Sequence, residues 1–222
     1  WGEPVRAIFS GRTDTGVSAR GQVVHVDLPA FRPPLSEPEI FDLLWRINGI
    51  VVKELSVVSM VNAPENFHAR YSACEREYVY RILNRSQRSS LLKDTHYFVR
   101  QPLDLKAMSC AAQALLGEHD FGSFKSSNSD TSASICRVRR AELLNLREGQ
   151  LEFWIAADHF VYNMVRIIVG TLIDIVLGKR GVESVSEALA KQDRALTGPT
   201  APPWGLTLNA VRYPGHFRRF QL

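Results

Sequence analysis

The stretch from Phe160 to Leu177 constrains this chain more than any other. Val161, Met164, Val165, Ile168, Leu172, Ile175 and Val176 recur at helical spacing, and they are too many for the narrow stripe of a surface helix. The spacing predicts a helix that starts at His159, ends at Gly178 and is buried over most of its circumference. A membrane span is the competing reading of so apolar a run. Asn163, Arg166 and Asp174 interrupt it and its ends lack strong anchors, so a core helix is expected instead. Arg166 is then informative on physical grounds. A cation inside an apolar run is costly unless it is paired, so it predicts an anion brought to it by the fold. Asp174, on the same run, is the local candidate for that anion.

A second stretch carries concentrated chemistry. Ser10-Gly11-Arg12-Thr13-Asp14-Thr15-Gly16-Val17-Ser18-Ala19 lies between two segments that read as strands, Val5 to Phe9 and Gln22 to Leu28. In the latter, Val24, Val26 and Leu28 alternate with Val23, His25 and Asp27, the period of a half-buried strand. Gly11 and Gly16 allow backbone shapes closed to other residues. Asp14 supports three readings. It can be a turn residue that bonds its own backbone. Asp14-Thr15-Gly16 also spells the aspartic-protease triplet. That chemistry needs two carboxylates sharing a proton, and with no second such triplet here a protease would have to be a symmetric dimer. The third reading takes the whole string and is given below.

Between these stretches, Phe67-His68-Ala69-Arg70-Tyr71-Ser72-Ala73 leads into Arg76-Glu77-Tyr78-Val79-Tyr80-Arg81-Ile82. The second piece alternates, with Tyr78, Tyr80 and Ile82 on one face and Val79, Arg81 and Leu83 on the other. Tyrosines packing a sheet would explain it. So would an aromatic platform beside a basic groove, the usual way of holding an unstacked base.

These segments resemble, in order, the conserved blocks of the TruA-type tRNA pseudouridine synthases. Gly-Arg-Thr-Asp-x-Gly-Val-x-Ala followed by Gly-Gln-Val-Val-His resembles the family's catalytic loop, although Ser18 stands where the family usually has His and Thr15 where it often has Ala. Phe-His-Ala-Arg-Tyr-Ser-Ala with Arg-x-Tyr-x-Tyr resembles the second block, Phe-x-x-x-Met-Val-Arg-x-Ile-Val-Gly the third, and Gly-Leu-x-Leu from Gly205 a pocket-lining strand. The resemblance implies Asp14 as the essential carboxylate, Arg166 beside it, holding it charged and oriented, and Tyr78 against the target base. It also implies Arg12 and Arg70 as phosphate or stem contacts and Leu206 as a pocket wall. It implies isomerisation of uridine to pseudouridine in the anticodon stem-loop of tRNA, with no metal and no organic cofactor, by a homodimer. A non-catalytic RNA-binding remnant is the alternative. The implied fold is α+β, two related subdomains with antiparallel sheets flanked by helices and meeting at a central cleft. The expected division is 1–95, carrying the Asp14 loop, and 96–222. The family places a further strand and helix ahead of Val5. Their absence from this sequence predicts an open edge on the first half-sheet.

Elsewhere the pattern is conventional. Pro33 and Pro34 mark a turn over Phe31 to Leu35. Ser36-Glu37-Pro38-Glu39 has capping-box spacing and opens a helix with Ile40, Leu43, Leu44 and Ile47 on one face, stopped by Asn48-Gly49. Val51 to Val61 reads as a strand and His96 to Arg100 as a short one. Asp104 caps a helix to Leu116, closed by Gly117. The phenylalanines of His119 to Phe124 read as packing. Ser126 to Ser134, Ser-rich, is expected to be mobile. Cys136 to Leu146 and Leu151 to Ala157 read as a hairpin, with Arg137, Arg139 and Arg140 on a solvated face. Ser184 to Glu187 offers a second capping box, for a helix to Asp193. The net charge of +4 over 222 residues is a mild pull toward an anionic partner. Three cysteines without a Cys-x-x-Cys, and six scattered histidines, give no metal-site pattern. They predict buried reduced thiols in a cytoplasmic protein, with no membrane partner; an organellar home stays open.

Overall fold

The computed structural model describes residues 4–28, 33–126, 134–215 and 217. Its centre is a mixed sheet of seven strands. β4 (Glu75–Asn84) lies between β8 (Gln150–Ala157) and β9 (Leu206–Arg212), antiparallel to both. β7 (Ile135–Asn145) and then β6 (Gly117–Asp120) extend the sheet beyond β8. β2 (Ser18–Ala19) adds to β9 in parallel, and β5 (Tyr97–Val99) runs parallel to the end of β4. Strand pairing therefore crosses the expected boundary near residue 95: β4 comes before it and its partners after. A separate two-stranded antiparallel sheet joins β1 (Ala7–Phe9) to β3 (Val24–Val26). This is a mixed α/β arrangement with antiparallel and mixed sheets flanked by helices, the expected class.

One sheet face is covered by helices α2 (Leu105–Gln113), α3 (Met164–Val176) and α4 (Ser184–Lys191). Tyr80, Ile82, Phe153 and Ile155 from the sheet meet Met108, Ile168 and Leu172 from the helices in the main core. Within α3 only Arg166 and Val176 escape full burial, as the apolar run requires. Gly170 makes that packing possible. A Cβ there would lie 1.7 Å from the Pro199 carbonyl oxygen, so the 197–201 loop can rest directly on the helix. Phe121 and Phe124 are fully buried packing residues, and Asp104 caps α2 by accepting the Lys106 and Ala107 N–H groups at 3.0 Å. The β7–β8 hairpin turns through Glu148 and Gly149 at positive φ.

Several local expectations are corrected. α1 (Glu37–Ile50) runs through Asn48-Gly49 instead of stopping there. The Asn48 side chain is occupied elsewhere: it accepts the Val57 N–H at 2.8 Å and donates to the Val57 carbonyl at 2.9 Å. Those two hydrogen bonds fix Val57, and Val51 to Val61 is an irregular segment, not a strand, since its backbone finds no ladder. α3 starts at Met164, five residues later than expected, because Asn163 sits in the left-handed region at φ 63° and cannot continue a helix backward. α4 lacks the second capping box; its cap is Glu183, without a side-chain bond. Glu39 does accept the Ser36 N–H, at 2.8 Å. Arg137, Arg139 and Arg140 pair with Glu118, Glu75 and Glu77, and Arg137 and Arg139 stay exposed, so the solvated face stands with ion pairs laid across it. Cys74 and Cys110 are exposed; only Cys136 is buried. Residues 31–32, 127–133 and 218–219, parts of the Pro-rich turn, the Ser-rich stretch and the basic tail, lie outside the described residues. Among those described, no helix is long and apolar enough to cross a membrane.

Candidate active site

The loop holding Asp14 is stitched at both ends. At its entry, the Ser10 N–H donates to the Val23 carbonyl at 2.8 Å, Ser10 Oγ donates to Gln22 Oε1 at 2.6 Å, and Gln22 Nε2 returns to the Gly11 carbonyl at 3.0 Å. At its exit β2 docks on β9, and the Arg20 N–H donates to the Leu208 carbonyl. Gly21 is required there, since a Cβ would meet the Asn209 carbonyl at 2.6 Å. Between these anchors the chain turns: the Val17 N–H donates to the Asp14 carbonyl at 3.0 Å, with Gly16 at φ 85°, the conformation a type II turn reserves for glycine.

That turn aims Asp14 at α3. Arg166 Nη1 donates to Asp14 Oδ2 at 2.7 Å, across 152 positions of sequence. Both side chains are largely screened from solvent, at 16% and 21% exposure. Arg166 is held by more than the acid. Its Nε–H donates to the Ala201 carbonyl at 2.8 Å, and Nη1 donates a second bond to Asn163 Oδ1, also at 2.8 Å. Asp174, the local alternative for the pairing, is taken by Lys179 and Arg180 instead. The turn-residue reading of Asp14 covers only its backbone; its carboxylate is committed to Arg166. The protease reading fails at the same point. Asp14 faces a guanidinium, and no carboxylate shares a hydrogen bond with it among the described residues.

Tyr78 lies close enough to Asp14 to feel its charge. Its ring meets Phe160 edge-on, with centroids 5.1 Å apart and planes at 86°. Burial pushes its phenol up to about 12, opposed by the nearby Arg76 cation and reinforced by the Asp14 carboxylate. The hydroxyl is thus neutral at physiological pH and within electrostatic range of the acid. Arg76 sits beneath. Its guanidinium donates to four carbonyls, those of Ala73, Asp158, Ser10 and Arg70. It joins the entry of the Asp14 loop, the turn bearing Arg70 and the end of β8. Burial lowers its pKa from the usual arginine value.

The remaining expected residues fall differently. Arg12 is exposed and lines a groove of ≈ 1690 Å³ between its loop, α1 and the 54–65 segment. Arg70 is exposed on a neighbouring turn, 5.7 Å from the Tyr71 ring centre; it reaches the loop only through its carbonyl on Arg76. Leu206, 6% exposed, belongs to the main core, paired with Tyr80. Sequence reasoning missed Asn163, Arg76 and the Ala201 carbonyl. Asn163 carried a legible signal, an αL-tolerant residue just ahead of a helix; the other two carried none. Among the described residues no cluster of His, Cys, Asp or Glu could hold a metal ion.

A family profile described as tRNA pseudouridine synthase matches residues 111–214. The tRNA pseudouridine synthase A of Halalkalibacterium halodurans is 42% identical over 210 residues, covering 92% of this chain and 75% of the relative. That of Geobacillus sp. (strain WCH70) is 36% identical over 214 residues, 96% and 83% of the two chains. That of Hydrogenovibrio crunogenus is 40% identical over 218 residues, 97% and 79%.

Proposed function

The chain belongs to the tRNA pseudouridine synthase family, and from that premise we propose that it isomerises uridine to pseudouridine in the anticodon stem-loop of tRNA, with Asp14 as the group that meets the reacting nucleoside. The observation that carries this reading is the 2.7 Å ion pair between Asp14 and Arg166, with Tyr78 within electrostatic range of the acid. The reaction breaks the bond between N1 of uracil and the ribose, turns the base, and rejoins it through C5, whose proton passes to solvent while N1 takes one up. A carboxylate acts here only when ionised and aimed. Arg166 supplies a fixed positive charge for that purpose, and its own bonds to Ala201 and Asn163 keep it from following the substrate.

A stacked base cannot reach Asp14. Unstacking it costs a few kcal/mol, and contact with an aromatic ring such as Tyr78 returns about 1–3 kcal/mol. A ring already braced by Phe160 loses little freedom on accepting the base. Arg12, without an ion-pair partner among the described residues and open to the groove, is placed to take a phosphate or the space the base vacates. Arg70 is a more distant phosphate contact. Family resemblance supports a second copy of the chain as the standing partner, a point that light scattering on the purified protein resolves.

The test is release of tritium from tRNA labelled at uracil C5. The parent protein releases it. Asp14→Ala retains tRNA binding and releases none. Undiminished release by Asp14→Ala would sink the assignment. Binding by the parent without release at any concentration would leave only an RNA-binding protein.

A further inference from the structure

We propose that Asn163 is a positioning residue for the Asp14–Arg166 pair: a neutral clamp, held in left-handed backbone, that fixes the guanidinium through the second hydrogen of the nitrogen that serves the acid. The inference rests on the isomerase reading above and extends it to a residue outside the resemblance.

Three observations converge on it. Arg166 Nη1 has two hydrogens, and the structure commits one to Asp14 Oδ2 and the other to Asn163 Oδ1. Asn163 is therefore bonded to the same nitrogen as the acid. The orientation of its amide is fixed as well. Arginine has no acceptor, so the atom facing Nη1 is the oxygen. The amide nitrogen then points the other way and donates to Ser126 Oγ at 2.9 Å. Finally, the backbone at Asn163 takes φ 63° and ψ 6°, a region that asparagine tolerates better than most residues and that glycine enters freely. Left-handed backbone at a non-glycine residue is kept where something else requires that side chain.

The choice of amide over carboxylate follows from charge. An aspartate at this position would also accept from Nη1, but it would place a second anion on the cation that Asp14 depends on. An amide orients the guanidinium and leaves its charge to the acid. With Nε on Ala201 and Nη1 split between Asp14 and Asn163, rotation of the guanidinium plane is blocked from two sides. Among the described residues Nη2 has no partner, so the two hydrogens left over remain available to substrate.

Asn163→Gly separates this role from a merely structural one. Glycine suits the backbone but loosens the unfolded chain and gives up two hydrogen bonds, so the variant is expected to fold with only a small fall in its thermal midpoint. The lost bond to a charged group is expected to lower kcat on tRNA about tenfold or more, with KM within about twofold. A crystal structure of the variant should show Arg166 Nη1 turned out of hydrogen-bonding reach of Asp14. Parent-like kcat, or an Asp14–Arg166 contact unchanged in that crystal structure, would overturn the proposal and leave Asn163 as a backbone filler. Because the crystallographic arm does not depend on turnover, a parent protein with no isomerase activity would count against the functional reading alone.

Discussion

Helices α1 and α3 are nearly equal in length, 14 and 13 residues, and each carries an apolar face, but they live in different environments. α3 is enclosed by the sheet, α2 and α4. α1 has no buried residue at all; Phe41, Trp45 and Ile50 are 72%, 73% and 84% exposed. The contrast extends to function. Arg166 rides on the enclosed helix, whereas Asp14 sits on a loop of the sparsely packed front region. The acid's position is therefore borrowed. It comes from β9, which receives β2, from Arg76, which holds the Ser10 carbonyl, and from Arg166 itself. A catalytic side chain on a thinly packed segment can be placed well when the packed side reaches out to it.

The largest expected effect strikes the enclosed side. Gly170→Val drives a side chain into the Pro199 carbonyl, a backbone atom that cannot swing aside, and should cost more than about 4 kcal/mol; urea denaturation measures it, and a well-folded variant would mean the 197–201 loop is free to move off α3. Leu172→Ala, at a fully buried position of the same helix, should cost about 3 kcal/mol by the same measurement. Arg76→Lys tests the tie between the regions. One ammonium cannot reach four carbonyls in the guanidinium's directions, and we expect a loss of about 1–2 kcal/mol, with faster hydrogen exchange at the amides of Ser10 and Val17. Unchanged exchange there would show that the loop holds itself. The smallest effect should come from Leu43→Ala on α1, less than about 1 kcal/mol. A loss comparable to that of Leu172→Ala would erase the contrast between the two helices.

How much could be read in advance follows the same divide. Where burial is dense, pattern and structure agree: the alternation of Tyr78 to Leu83 became β4, the two runs around Glu148-Gly149 became β7 and β8, and the apolar run became α3. Where burial is thin, they part. Val51 to Val61 reads as a strand, yet it finds no ladder, and the side chain of Asn48 takes the backbone of Val57 instead. A periodic pattern states which face wants burial, not whether a partner will be there to bury it. Arginine pairing was hidden for a related reason. Arg137 and Arg139 stay exposed as their alternation implied, but the glutamates that meet the three arginines come from β6 and from β4, two strands away, a matter of strand order in the sheet.

At the site, residue chemistry alone required that Arg166 find an anion, because an unpaired guanidinium among so many apolar groups is too costly to keep. It also marked Asp14 as a carboxylate on a glycine-flanked turn. It could not join them. Their contact depends on a turn through Gly16, on β2 settling beside β9, and on α3 beginning exactly one residue after a left-handed Asn163, none of which is a property of neighbouring letters. The need for a pair was written in the chain; the identity of the pair, and the amide that clamps it, came from distant segments brought to within hydrogen-bonding distance, where direction and separation decide which partner is taken.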